Sequence, residues 1–154
     1  MNRFFDIAGD VALQLAPWEI ERRGLDPDKA WFELREPIHF RSDLAGGIIT
    51  VPAGYVSDLA SIPKFAWSLL FPPDDPRIEL GAWLHDLLYE KCGRVFVADK
   101  IRTDGPTPMR AVQLSRRQAD QILCHEAMRD LLATEGERAA VYYALRIFGD
   151  RWKN

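Results

Sequence analysis

The stretch SRRQADQILCHEAMRDLLATEG, residues 115–136, carries the plainest structural instructions in the chain. Ser115 is a good helix N-cap. Gln118 stands three residues later, the spacing of a capping box in which each side chain serves the other's backbone N–H. At about 100° per residue, Ala119, Ile122, Leu123, Cys124, Ala127, Met128, Leu131 and Leu132 gather on one broad apolar face, with His125 toward its edge. Gly136 marks the expected close. Near the centre of that face stands Asp120. A carboxylate among apolar side chains is costly unless it is hydrogen-bonded, paired or metal-bound. Aspartate is also a poor helix former beyond the first turn. Asp120 is therefore either the structural partner of a buried arginine or backbone amide, or a functional carboxylate.

Helical patterning extends to either side. ERAAVYYALRIFG (137–149) reads as a last helix, again closed by glycine. Residues 77–91 read as another, ended by Gly93. SIPKFAWSLLF (61–71) reads as a third, with Pro63 in its first turn and PPDDP (72–76) stopping it. The first 63 residues are strand- and turn-rich. AWFELREPIHFR (30–41) is interrupted by Pro37, which predicts two short strands or one bulged edge strand. DLAGG (43–47) is a turn signal, and IITVPAGYVSD (48–58) gives a strand, a turn and a second extended piece. PWEIERRGLDPDK (17–29) reads as a short helix or loop excursion closed by Gly24 and Pro27. RVFVADKIRTDGPTPMRAVQL (94–114) has strand-like ends around a Pro- and Gly-containing turn, and reads as a hairpin or ordered loop inserted between helices. The expected fold is α+β in a single domain, residues 1–154, β-rich over 1–63 and helical over 61–154 with the insertion at 94–114. A small N-terminal antiparallel sheet packs on three to four helices.

Bulk properties narrow the function. With 20 basic and 23 acidic side chains the formal net charge is −3, so there is no global basic footprint for nucleic acid. No apolar run approaches the ~20 residues that span a membrane. MNRFFDIAGD lacks the charged start and apolar stretch of a signal peptide, so the expected location is cytoplasmic. Cys92 and Cys124 form no zinc spacing and read as buried free thiols.

Two further polar spots stand out. In GAWLHDLLYEKCG (81–93), His85 falls with Ile78, Ala82 and Tyr89 on an apolar face, whereas Asp86 falls with Glu79 and Glu90 on an acidic stripe. That stripe faces either solvent or a cleft; beside an imidazole, such carboxylates suit a divalent metal. In SDLASIP (57–63), Asp58 and Ser61 stand at an expected helix start, where capping alone accounts for both. A functional role needs this loop to lie against helix 77–91.

VPAGYVSDLASIPK (51–64), WLHDLLY (83–89), RRQADQILCHEAM (116–128) and ALRIFGDRW (144–152) occur in this order. Together they resemble a domain-of-unknown-function family found mostly in tailed phages and prophages. The resemblance falls on Gly54, Asp58, Ser61, Pro63, His85, Asp86, Tyr89, Arg117, Asp120, Arg146, Gly149 and Trp152, and covers roughly residues 30–152. It implies a phage setting, in the host cytoplasm or the virion, and a convergent polar constellation, with no reaction attached. The 94–114 segment departs from it as a longer link.

Three functions are expected of such a constellation. The first is a metal-dependent hydrolase: His85, Asp86 and Asp120 bind zinc, manganese or magnesium, Asp58 is a further ligand or the base, Ser61 orients substrate, and Arg117 and Tyr89 bind it. The adjacent His–Asp is similar to that of the His-Asp phosphohydrolases, but His39, in a strand-like run, does not complete their metal set. A serine hydrolase is the weaker form, because Ser61 lacks the Gly-x-Ser-x-Gly elbow. The second is a non-enzymatic virion, assembly or interaction protein that meets phage structural proteins through 94–114, the polar cluster being structural. The third is an antagonist of host defence that holds a signalling nucleotide through Arg117 and Arg146.

Overall fold

In the computed structural model, which describes residues 3–5, 12–63, 76–131, 133–148 and 152, the chain changes sheet at Pro37. Strand β3 (Phe32–Leu34) lies before it and β4 (Ile38–Ser42) after it. Proline cannot donate to a ladder, so the two-strand form of the expectation is the one the chain takes. β3 sits between β2 (Ala12–Gln14) and β6 (Val56–Ser57) in a three-stranded antiparallel sheet. β4 joins a five-stranded antiparallel sheet in the order β1-β4-β5-β7-β8, with β1 at Phe4–Phe5, β5 at Gly47–Val51, β7 at Arg94–Ala98 and β8 at Arg110–Gln113. A short helix α1 (Pro17–Arg22) begins on its proline, and Gly24 follows in the left-handed region.

The 94–114 segment is a hairpin between two helices, as one form of the expectation had it, but it is an integral part of the main sheet. Ile48 pairs with Ala98 and Ile49 with Val97, so the hairpin supplies two of the five strands of the main sheet. The sheet is accordingly not confined to the N-terminal part. Val95 and Val97 point into the core while Phe96 faces out, the alternation of a half-buried strand.

Helix α2 (Pro76–Glu90) forms the centre of the molecule. Residues 81–89 are all buried, because Trp83, Leu84, Leu87 and Leu88 leave no polar side for solvent. It packs on β4 and β5, against Ile38, Phe40, Ile49 and Val51. Helix α3 (116–130) lies beside it. Gly81 permits the approach, for a methyl there would stand 3.1 Å from Leu123 Cδ1. Helix α4 (Glu135–Phe148) packs on α3 through Val141 and Leu145. These four helices are those among the described residues. The helix expected over 61–71 and its PPDDP stop lie outside them from residue 64 to 75, as does the closing Gly149.

Two helix boundaries differ from expectation. The capping box of Ser115 and Gln118 is present. Gly136, read as the close of α3, instead lies in the first turn of α4. That turn has its own reciprocal pair: Thr134 N donates to Glu137 Oε1 at 2.8 Å, and Glu137 N to Thr134 Oγ1 at 3.1 Å. Within α3, Ile122–Ala127 form a π-helical segment. Glu126 is buried, on the arc between Ile122 and Ala119 where a uniform 100° step also places it. Glu126 accepts from Ser42 Oγ and from Asp43 N, both at 2.7 Å, and pairs with Arg3 at 3.0 Å, which ties α3 to the β4–β5 turn.

Both cysteines are free thiols. Cys124 is fully buried, whereas Cys92 is partly exposed, in the turn after α2.

Candidate active site

His85 and Asp86 point about 100° apart, as helix geometry demands, yet one residue joins them. Ser61, in the loop after β6, places its hydroxyl 3.0 Å from His85 Nδ1 and its backbone N–H 2.8 Å from Asp86 Oδ1. The other ring nitrogen of His85, Nε2, lies 3.0 Å from Asp120 Oδ1 on α3. Serine, imidazole and carboxylate thus stand in line, with His85 and Asp120 fully buried and Ser61 4% exposed.

Asp120 is the best-partnered group of the three. Its Oδ1 also accepts from the Tyr89 hydroxyl at 2.5 Å, and its Oδ2 from Arg146 Nη1 at 2.9 Å. Burial alone would raise its pKa, but hydrogen bonds from His85, Tyr89 and Arg146 outweigh burial and hold the carboxyl below its usual range. Burial and the bond to Asp120 push the Tyr89 phenol up, so Tyr89 is a neutral donor. An ionised carboxylate only accepts, which assigns the proton of a neutral His85 ring to Nε2. Nδ1 then carries the lone pair, and the Ser61 hydroxyl must donate to it. This is the arrangement of an activated hydroxyl, a base and a group that orients the base.

Asp86 does a different job. Its Oδ1 holds the Ser61 amide, and its Oδ2 accepts from the Ser57 hydroxyl. Ser57 Oγ in turn accepts from Leu59 N at 3.0 Å, and Asp58 Oδ1 from Ala60 N at 3.2 Å. The loop is thereby pinned to α2. Leu59 sits at φ 55°, a left-handed conformation that branched aliphatic side chains disfavour and that surrounding bonds must enforce. Ser61 opens on a cleft of about 380 Å³ that also includes Lys29, Trp31, Asp58, Asp86, Tyr89 and Glu90.

The structure therefore brings Ser61, His85, Asp86, Tyr89 and Asp120 together, and places Asp58 on the cleft wall, with Oδ2 3.2 Å from Lys29 Nζ. It does not bring in Arg117, which is exposed. The arginines at the cluster are Arg146 and Arg116; Arg116 Nε donates to the Tyr89 oxygen at 3.3 Å and its Nη2 to Leu145 O at 2.6 Å. The i,i+4 spacing of Arg116 to Asp120 was the available signal. Ser57 was also missed, since a serine at the end of a strand carries no signal of its own.

His85, Asp86 and Asp120 do not converge as one ion's ligands. Both His85 nitrogens are engaged, and the two carboxylates serve different partners. Among the described residues no three His, Cys, Asp or Glu side chains are placed to hold a metal ion.

Residues 32–145 match the family model described as protein of unknown function (DUF1353). The chain belongs to that family. The match takes in Ser61, His85 and Asp120 and stops one residue short of Arg146. No curated protein and no solved structure matches this DUF1353 chain. Among its described residues no helix is long and apolar enough to cross a membrane.

Proposed function

We propose that this DUF1353 protein is a hydrolase of esters or amides in which Ser61 is the nucleophile, His85 the general base and Asp120 the group that orients His85. The observation that carries this reading is the line from Ser61 Oγ through both His85 nitrogens to Asp120, 3.0 Å at each step, with Ser61 at the cleft end. His85 Nδ1 takes the hydroxyl proton as Ser61 Oγ bonds to the acyl carbon. The same proton passes to the leaving group as its bond to that carbon breaks. Water then repeats the sequence on the acyl-serine, releasing the acid and restoring Ser61. Asp120 stabilises the imidazolium formed at each stage. The missing Gly-x-Ser-x-Gly elbow is offset by the Asp86 clamp, which fixes the Ser61 backbone by other means. A metal-assisted form of the reaction would require His85 to release Ser61 or Asp120.

The test is turnover of a chromogenic acyl ester by the wild type, Ser61→Ala and His85→Gln, with circular dichroism to confirm folding. The expected result is a loss of roughly 10³-fold or more in kcat/KM in both folded variants. Equal turnover in wild type and Ser61→Ala would end the hydrolase reading.

A second reading rests on a different observation. Phe96 is 63% exposed and Met109 51% exposed on the β7–β8 hairpin, and β8 ends the main sheet. An open strand edge beside apolar side chains suits pairing with another chain. In the phage setting that the family resemblance suggests, the partner would be a structural protein of the particle. Phe96→Ser would then abolish incorporation into particles, whereas unchanged incorporation would sink this reading.

A further inference from the structure

The chemistry of the Ser61 cleft carries information about what it admits. Among the described residues, Asp58, Asp86 and Glu90 line it, with the ammonium of Lys29. Lys29 lies 3.2 Å from Asp58, so those two charges offset each other. Among the described residues Asp86 is held by neutral donors, the Ser57 hydroxyl and the Ser61 amide. Glu90 accepts from the Tyr55 hydroxyl, and its ion pair with Lys91 is long, 3.7 Å, with both side chains more than half exposed. Solvent screens such a pair heavily. The described lining thus carries an excess of negative charge, which a concave wall concentrates. Trp31 adds an indole to the same lining, a surface that also attracts cations.

We infer that the cleft selects acyl substrates carrying a cationic group, an ammonium or guanidinium, close to the reacting carbonyl, and discriminates against phosphorylated or carboxylated ones. This inference rests on the hydrolase reading of Ser61. Glu90 is the specificity-determining residue: it is exposed, it faces the cleft, and it has no part in the Ser61–His85–Asp120 line.

Three nitrophenyl esters of similar size test it: butyrate, its trimethylammonio derivative and hemiglutarate, each rate being normalised to the ester's own hydroxide-catalysed hydrolysis. The expected order of kcat/KM in the full-length protein is cation over neutral over anion, with at least about tenfold between the ends. Glu90→Gln should reduce the cation-to-anion ratio by roughly threefold, and high salt should reduce it further. Ser61-dependent turnover with a flat or reversed order would overturn the inference and leave the hydrolase reading standing. A ratio unchanged in Glu90→Gln would likewise overturn the assignment of selectivity to this cleft. Absence of Ser61-dependent turnover for every ester would overturn the hydrolase reading, and this inference with it.

Discussion

Asp120 stands where a helix pattern calls for an apolar side chain, and three donors from two other helices meet it there: His85 and Tyr89 from α2, and Arg146 from α4. Replacing it with asparagine sets the side-chain NH₂ against a donor and removes the charge that Arg146 meets. The expected loss at neutral pH is about 2–3 kcal/mol. The sign of its pH dependence follows from the lowered carboxyl pKa. A group with a lowered folded pKa contributes stability that is present above its unfolded value, about 4. That contribution is lost as pH falls through the lower folded value. Urea unfolding of wild type and Asp120→Asn should therefore differ most near neutrality, with the gap closing below about pH 4. A gap independent of pH would mean that the carboxylate charge does not stabilise the fold. Asp120 and His85 were legible in the sequence because charge and imidazole break an apolar pattern. Ser57 and Arg116 were not. A serine that ends a short strand carries no chemical signal, and two adjacent arginines differ only in which way the helix turns them. Glu126 was readable by the same rule, since a uniform step sets it between Ile122 and Ala119, but it was passed over.

At the scale of elements, the turn that ends α2 is closely built against Leu114 and Trp152. Cys92 and Gly93 both lie at positive φ, 50° and 74°, and Gly93 N donates to Leu88 O at 2.9 Å. A methyl on Gly93 would overlap the Leu114 carbonyl oxygen and crowd the Trp152 ring. Gly93→Ala should therefore cost more than about 2 kcal/mol by denaturant unfolding, whereas Gly105→Ala, with open space around it, should cost under about 1 kcal/mol. Equal costs would place the constraint elsewhere. Most elements were legible locally: the caps at Ser115, the break at Pro37, the glycine after α2. The boundary at 134–137 was misassigned because a glycine after an apolar run resembles a close. The Thr134–Glu137 box, the same kind of signal that opens α3, shows that a new helix has begun.

At the scale of the whole molecule, the pairing of β5 with β7 brings a segment from beyond α2 into the sheet that α2 packs on. Composition and period reveal strands but not their partners, so the hairpin's place in the main sheet was not readable from the sequence. The same holds for the site: three short polar spots far apart in sequence became one line only through the packing of the β6 loop, α2 and α3. That line, with both imidazole nitrogens engaged, gives a definite expectation for metals. Dialysis against a chelator should leave ester turnover within about twofold of the untreated protein; loss restored by zinc or manganese would point instead to an ion displacing Ser61 from His85. The most direct measurement of the central claim is covalent capture. Wild-type protein treated with a fluorophosphonate should gain one adduct by intact mass, mapped by peptide sequencing to Ser61, and folded His85→Gln should gain none on the same timescale. An unlabelled wild type, or equal labelling of Ser61 in His85→Gln, would contradict a hydroxyl activated by His85 and Asp120.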